Sequence, residues 1–234
     1  MVLPVNPAMS ENLIVQMPAD APGQLFLLFH GVGSTPHSLL ALGRRLAESF
    51  PGAAVVSVAA PDRSDTGGPD GRQWFSVRGI TEENRAERVT ATMPRYVETV
   101  RALQRDTGTS AAQTALIGFS QGGIMALEST QVDAALAGRV VSLAGRFARL
   151  PEKAPAETTL HFIHGRRDAV ISYEHTVKAA EHLVALGGDL TADVVPGLGH
   201  VVDEGVGELL LKRLTTHVPK RLWELAMREA GGPG

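Results

Sequence analysis

One serine of the sequence has the surroundings of a catalytic nucleophile. Ser120 is the centre of a Gly-x-Ser-x-Gly pentapeptide that follows the apolar pair Leu116-Ile117 and precedes an apolar helical pattern. A strand, a sharp turn and a helix in this order hold a serine hydroxyl on a strained backbone at the top of a sheet. Gly118 and Gly122 leave the space that such a turn needs, and the free N–H groups of the helix favour negative charge there. Because the pentapeptide also occurs by chance, its interpretation depends on partners elsewhere in the chain.

A nucleophilic serine needs a base, and the base needs a carboxylate to orient it. In hydrolases that use such a turn, the chain order is serine, then aspartate or glutamate, then histidine. His200 follows the last predicted strand in a Gly-Leu-Gly-His loop that is free to aim an imidazole, and Asp168 follows the strand before it. Asp168 has helix capping as its alternative role, while Asp193 falls inside a strand pattern and Asp203 has the position of a helix N-cap. The predicted triad is therefore Ser120, Asp168 and His200.

The other seven histidines fit structural roles better. His161 lies inside a strand pattern and is expected to pack in the core or at an edge of the sheet. His30 and His164 end strands beside glycines and are expected to shape loops. His37 opens a helix, and the other three fall in helices and are expected to be solvated: His175, His182 and His217.

Two backbone N–H groups are candidates for binding an oxyanion beside Ser120. The residue after the nucleophile supplies one donor, and here that residue is Gln121. The loop 30–33, His-Gly-Val-Gly, follows an apolar run, and the N–H of Val32 is the second candidate. Each such donor contributes roughly 2.7–4 kcal/mol to transition-state binding. A plain turn is the alternative interpretation of the loop.

Strand and helix patterns alternate along the chain. Several strands are apolar throughout, which predicts an α/β fold with a mostly parallel sheet and helices on both faces. Ligands of such sheets bind beyond the carboxyl ends of the strands, so the loops that follow Phe29, Val58, Gly118, Ile163 and Val195 are expected to converge. The predicted strands span 13–15, 24–29, 53–58, 114–118, 139–143, 158–163 and 190–195; the predicted helices span about 39–50, 82–105, 121–130, 173–186, 203–217 and 219–230.

Two segments depart from simple alternation. Pro94 lies inside the long helical pattern 82–105 and is expected to kink the helix or divide it in two. The segment 59–80 is rich in Gly, Pro, Asp and Arg, and a connection of this length is usually functional or disordered. Its Trp74-Phe75 pair argues against disorder, and the two rings have loop anchoring as one interpretation.

Composition excludes several classes of protein. The 234 residues suit one domain, and a net charge of −3 gives no electrostatic case for binding nucleic acid or an anionic membrane. Cysteine is absent, which excludes disulfides, thiolate metal sites and a cysteine nucleophile. The first twelve residues lack the pattern of a signal peptide, and no apolar run approaches the ~20 residues of a membrane span, so a cytoplasmic protein is expected. No metal-ligand spacing or phosphate-binding glycine motif is present, and no cofactor or metal is expected.

Taken together, the motifs resemble the phospholipase/carboxylesterase family, the α/β-hydrolase branch that includes acyl-protein thioesterases and small bacterial carboxylesterases. The resemblance covers about residues 12–218, and the motifs are most similar to those of the bacterial esterases. It implies an α/β-hydrolase domain without a large lid, and it implies that Trp74 and Phe75 border the acyl pocket. Where the family often carries aspartate, this sequence has Ser34 and Ser76. The matching motifs are Phe-His-Gly-Val-Gly at 29–33, Gly-Arg-Gln-Trp-Phe-Ser at 71–76, Gly-Phe-Ser-Gln-Gly-Gly at 118–123, His-Gly at 164–165 with Asp168, and Gly-His at 199–200.

The sequence therefore predicts a single-domain serine carboxylesterase, with small-molecule esters of short acyl chain as substrates. An acyl-protein thioesterase or lysophospholipase with the same triad is one alternative, and a non-catalytic binding protein on a hydrolase fold is another. No stable membrane association is expected, and the chain is expected to be a monomer or a homodimer. The apolar stripe of the C-terminal helix, which contains Leu222, Trp223, Ala226 and Met227, is expected to pack on its own domain, with a dimer contact as the alternative.

Overall fold

The structure is a computed structural model that describes residues 11–132 and 136–230. The expectation for the first ten residues, which concerns a signal peptide, lies outside this range. Nine strands are described: β1 (Leu13–Gln16), β2 (Gln24–Phe29), β3 (Ala53–Val58), β4 (Asp62–Arg63), β5 (Arg72–Gln73), β6 (Thr114–Phe119), β7 (Arg139–Leu143), β8 (Thr159–Gly165) and β9 (Leu190–Val195). The helices are α1 (Leu40–Ser49), preceded by a 3-10 turn at Pro36–Leu39, α2 (Glu82–Thr107), α3 (Gln121–Val132), α4 (Glu174–Ala185), α5 (Glu204–Thr216) and α6 (Lys220–Ala230).

Seven strands form the central sheet, in the order β1-β3-β2-β6-β7-β8-β9. All neighbours are parallel except β1, which is antiparallel to β3 at the edge. Strands β2, β3 and β6 are buried almost throughout because helices cover both faces, as uniformly apolar strands require. The predicted mostly parallel sheet is confirmed.

Two apolar clusters fill the space between the sheet and its helices. On one face, α1 and α5 pack through Leu46 and Leu210 against the side chains of Phe26 and Leu28. On the other face, α2, α3 and α4 cover a larger cluster that contains Leu27, Phe29 and Leu116. Successive side chains of β2 thus point to opposite faces of the sheet and contribute to the two clusters in turn.

Helix α2 is continuous through Pro94, so of the two expected effects of this proline, a kink or a division of the helix, the division is wrong. Buried residues on both sides of the proline, among them Met93 and Tyr96, pack into the same cluster and hold the two halves together. The ends are defined by local chemistry. Thr81 and Asn84 form a reciprocal capping box at the start, and Gly108, in the left-handed region with φ 68°, ends the helix.

Helix α6 does not pack its apolar stripe on the domain, and this expectation from the sequence is also wrong. Leu222 is 51% exposed, Trp223 59% and Met227 68%. Polar contacts attach the helix instead: the Arg221 guanidinium donates to Thr159 and to the carbonyl of Gly138. These bonds orient the basic face of the helix inward, so its apolar face lies in solvent. No helix in the described residues has the length and apolar character needed to cross a bilayer.

Candidate active site

Ser120 lies on the sharp turn between β6 and α3, with a φ of 53° that non-glycine residues rarely adopt. Its backbone N–H donates to the carbonyl of Leu143 on the neighbouring strand at 2.9 Å. The flanking glycines are required by contact: a Cβ on Gly118 would lie 2.2 Å from the Gly122 carbonyl oxygen, and a Cβ on Gly122 would lie 2.1 Å from that of Phe29. The turn has the backbone strain and close packing of a nucleophile elbow.

The three side chains predicted as a triad meet in the order that the chemistry requires. His200 Nε2 lies 2.9 Å from Ser120 Oγ, and His200 Nδ1 lies 2.6 Å from Asp168 Oδ2. Because the carboxylate accepts, Nδ1 carries the proton and Nε2 is left to accept from the serine hydroxyl. The ring of Phe119 packs against the imidazole with centroids 4.9 Å apart and helps to fix its plane.

Asp168 is held by more than the histidine. Its Oδ1 accepts from the backbone N–H groups of Val170 and Ile171, at 2.8 and 2.9 Å. Burial alone favours the neutral carboxyl, but the bonds from His200 and from these two amides outweigh it and leave the pKa of Asp168 below its usual value. The side chain therefore caps the turn 168–171, not helix α4, and it stays ionised at neutral pH.

A second histidine supports Asp168 from the interior. His164, fully buried at the end of β8, has Nε2 2.8 Å from the Ile171 carbonyl and 3.2 Å from Asp168 Oδ2, while its Nδ1 lies 2.8 Å from Thr176 Oγ1. Burial lowers the pKa of His164, so the ring is neutral and donates from Nε2. The predicted loop-shaping role fits, whereas its contact with the carboxylate had no signal in the sequence.

The loop that carries Val32 is fixed beside the elbow. The N–H of Gly33 donates to the carbonyl of Arg72 at 2.9 Å, and the N–H of Arg72 returns a bond to Ser34 at 2.8 Å. Val32 and Gln121 line the same cleft as Ser120, and Gln121 is the first residue of α3. The two residues predicted to supply the oxyanion donors therefore line the same cleft as the serine.

The cleft above Ser120 has a volume of about 320 Å³. The walls of the cleft are partly apolar and partly polar. The apolar part contains Phe75, Val77, Ile124, Val170 and Ile171, and the polar part contains Glu82, Arg85, Arg146, Ser172 and His175. The charged residues were not identified from the sequence, since Glu82 and Arg85 begin a helix and Arg146 lies in an unremarkable loop.

Trp74 and Phe75 have different positions. Phe75 lines the cleft, as the family resemblance implies. Trp74 does not: it is buried among Phe29 and Tyr96, and its indole N–H donates to the carbonyl of His30 at 3.0 Å. The pocket role is therefore wrong for Trp74, because its ring points into the core, where it anchors the segment 59–80 beneath the loop 30–33.

The chain has only two tryptophans, and they provide a matched test of this anchoring role. Trp74→Ala is expected to lower the free energy of unfolding by about 3–5 kcal/mol, because it removes a large buried ring. Trp223→Ala is expected to change it by no more than about 0.5 kcal/mol, because that ring is mostly exposed. Denaturant unfolding of both variants measures the difference; equal losses would contradict the burial assigned to Trp74.

The burial of the remaining histidines differs in part from what the sequence predicts. His161 is in the core as predicted, where burial and the neighbouring His217 lower its pKa to about 4. The three helical histidines expected to be solvated are instead half-buried. His175 lines the cleft, His182 bonds to the Pro151 carbonyl, and His217 bonds to Asp189. In the described residues, no group of three or more histidine or acidic side chains is placed to hold a metal ion.

Comparison with known proteins shows the family to which the chain belongs. A family described as phospholipase/carboxylesterase matches residues 10–218, and the chain belongs to that family. Esterase YpfH of Escherichia coli (strain K12) is 48% identical over 224 residues, 96% of this chain and 95% of that protein. Acyl-protein thioesterase 1 of Cryptococcus neoformans (serotype D, strain JEC21) is 26% identical, over 71% of this chain and 75% of its own length. The crystal structure of esterase PE8 superposes with a TM-score of 0.76 at 28% identity, covering 85% of this chain and 95% of that one.

The family defines the class of chemistry. Phospholipases and carboxylesterases both cleave carboxylic esters, and the protein is a hydrolase of that class with an α/β-hydrolase fold. The resemblance identified from the sequence motifs is confirmed. Within the described residues no separate lid domain accompanies the sheet and its helices, and the longest connection, between β3 and α2, carries only the short ribbon β4–β5.

Proposed function

We propose that the protein is a serine carboxylesterase that uses Ser120, His200 and Asp168 as its catalytic triad. The hydrogen-bonded chain from Asp168 through His200 to Ser120 is the observation that carries the proposal. These hydrogen bonds support a base within reach of the nucleophile and an ionised carboxylate behind the base, the arrangement that activates a serine hydroxyl.

The proposed reaction has two halves. Ser120 Oγ attacks the ester carbonyl while His200 Nε2 takes its proton, and the oxyanion that forms accepts from the N–H groups of Val32 and Gln121. His200 then gives the proton to the leaving alcohol, and an acyl-enzyme remains. Water, activated by the same imidazole, resolves the acyl-enzyme to the carboxylic acid. Asp168 stabilises the imidazolium in both halves and does not itself become protonated.

Small-molecule esters with short acyl chains are the proposed substrates. A cleft of about 320 Å³ is near the lower end of the range for ligand pockets, and its polar part limits the apolar surface open to an alkyl chain. The thioesterase alternative is supported by the similarity to an acyl-protein thioesterase over 71% of the chain. That activity needs a longer apolar groove with the same triad, so acyl-chain preference separates the two.

A panel of p-nitrophenyl esters from acetyl to palmitoyl tests the proposed substrate class. We expect kcat/KM to be highest for acetyl or butyryl and to fall for octanoyl and longer chains. A maximum at palmitoyl would contradict the short-chain proposal and favour the thioesterase or lysophospholipase alternative. Stoichiometric labelling of Ser120 by a fluorophosphonate is expected, and its failure would favour the binding-protein alternative. The cytoplasmic location and the choice between monomer and homodimer stay predictions from the sequence.

A further inference from the structure

Two arginines line the same cleft as the nucleophilic serine. Arg85 comes from the first turn of α2 and Arg146 from the loop after β7, and their side chains are only 19% and 12% exposed. Positive side chains are rarely buried to this extent without a functional or structural partner. The proposed esterase reaction uses neither residue.

One carboxylate is shared between the two guanidinium groups. Glu82 accepts from Arg146 at both oxygens, at 3.1 and 2.7 Å, and from Arg85 at Oε1, at 3.1 Å. The Glu82 side chain is 61% exposed, so both arginines are buried more deeply than the carboxylate that they share. With one negative and two positive groups, the cluster carries an excess positive charge of one.

Both guanidinium groups line the cleft, and each has more N–H groups than its bonds to Glu82 use. The Nε–H of Arg85 is buried and has no acceptor among the described residues. Burying such a donor without an acceptor is costly, and a carboxylate is the acceptor that a guanidinium binds best. The ring of His175, which also lines the cleft, has its pKa lowered by burial and then by Arg146, and it adds no positive charge at neutral pH.

The backbone just before Arg146 is strained. Ala144, two residues before it, has a φ of 50°, and together with Ser120 it is one of only two non-glycine residues with positive φ in the described chain. The two strained residues are neighbours, because the Ser120 N–H donates to the carbonyl of Leu143, the residue directly before Ala144. Such strain persists only where the surroundings enforce it, and it concentrates at functional sites.

We propose that the arginine pair Arg85–Arg146 is an anion subsite, and that the preferred substrates are esters that also carry a carboxylate. The apolar wall of Phe75, Ile124 and Ile171 would contact the carbon chain between the ester and the charge. This inference rests on the proposed esterase function and narrows its substrate class.

The test compares esters that differ in charge but not in size. Monoethyl succinate, glutarate and adipate are each paired with the corresponding primary amide, and kcat/KM is measured by ethanol release. A fourth pair, 4-acetoxybutanoate and its amide, places the charge in the leaving alcohol, and its hydrolysis is followed by acetate release. For at least one pair we expect the acid to be cleaved about tenfold to a hundredfold more efficiently than the amide, the range for hydrogen bonds to a charged group. The better pair shows which half of the ester faces the arginines.

Variants then test whether the two arginines cause the preference for the acid over the amide. Arg146→Met and Arg85→Met are each expected to reduce the acid-to-amide ratio toward one, chiefly by raising KM for the acid. Glu82→Gln is expected to increase the ratio, because it removes the negative charge that competes with the substrate. Arg149→Met is the matched control: it removes an equal charge from an exposed arginine in the same loop, outside the cleft, and is expected to leave the ratio unchanged. Because each ratio is taken within one variant, a general loss of activity cancels.

Failure of this inference and failure of the proposed function are distinguishable. If wild-type protein cleaves neutral ethyl butanoate but shows a ratio near one for every pair, the anion subsite is overturned and the esterase proposal stands. The same conclusion follows if Arg149→Met lowers the ratio as much as Arg146→Met does. If no ester is cleaved at all, or if Ser120→Ala cleaves them as fast as wild type, the proposed function itself is overturned.

Discussion

Replacement of Ser120 or His200 by alanine is expected to lower kcat for a short-chain ester by about 10⁶. The two side chains act in a single proton transfer, with Oγ and Nε2 2.9 Å apart, so either loss leaves the nucleophile inactive. The double variant is expected to be little worse than either single variant, because the two side chains act together and the first substitution already disables both. Initial rates with p-nitrophenyl acetate, corrected for spontaneous hydrolysis, measure all three.

Asp168→Asn completes the series with a smaller expected loss, of about 10⁴, because the amide imposes the wrong imidazole tautomer but keeps the geometry. The melting temperature of each variant serves as the folding control. Retention of a tenth of the wild-type activity in Ser120→Ala or His200→Ala would contradict the assignment of the triad.

The sequence predicts the triad well for a physical reason. Each of its members follows an apolar strand, and the carboxyl ends of parallel strands meet at one edge of the sheet. The close contacts of Gly118 and Gly122 were likewise predictable, because the turn requires them independently of the rest of the fold. Local chemistry and strand order together are enough to assemble this part of the site.

The polar part of the cleft could not be predicted in the same way. Glu82 and Arg146 are 64 residues apart, and a charged residue at the start of a helix is ordinarily a capping or solvated group. Only the packing of α2 against the sheet brings it to the loop after β7. His175 was misjudged for the same reason, since helical periodicity does not say which part of a helix borders a cleft.

Side-chain direction was the second source of error. From the sequence alone, a Trp-Phe pair on a long connection fits both a pocket wall and a core anchor, and nothing in it says which ring takes which role. Phe75 and Trp74 divide these two roles between them. In α6 the apolar stripe was correctly recognised, but polar bonds from Arg221, which hydrophobic periodicity ignores, determine which face points inward.

Gly122→Ala is expected to destabilise the protein by about 3 kcal/mol or more and to abolish measurable esterase activity. The added Cβ would lie 2.1 Å from the carbonyl oxygen of Phe29, which is backbone at the end of the central strand β2 and has no flexible end to yield. Helix α3 and strand β2 must therefore separate. Because His30 and Val32 directly follow that strand, the movement displaces the proposed oxyanion donor from Ser120 as well as loosening the core.

Thermal and denaturant unfolding measure the stability loss, and for a domain of this size about 3 kcal/mol corresponds to a fall in Tm of roughly 6–12 °C. Gly205→Ala is the matched control. Gly205 lies in the first turn of α5, where the nearest atom to an added Cβ is the Asp203 carboxylate at an ordinary 3.5 Å. Alanine there is expected to leave stability unchanged or raise it by up to about 1 kcal/mol, with full activity. A Gly122→Ala protein as stable and active as the Gly205→Ala protein would show that β2 and α3 are not packed as closely as described.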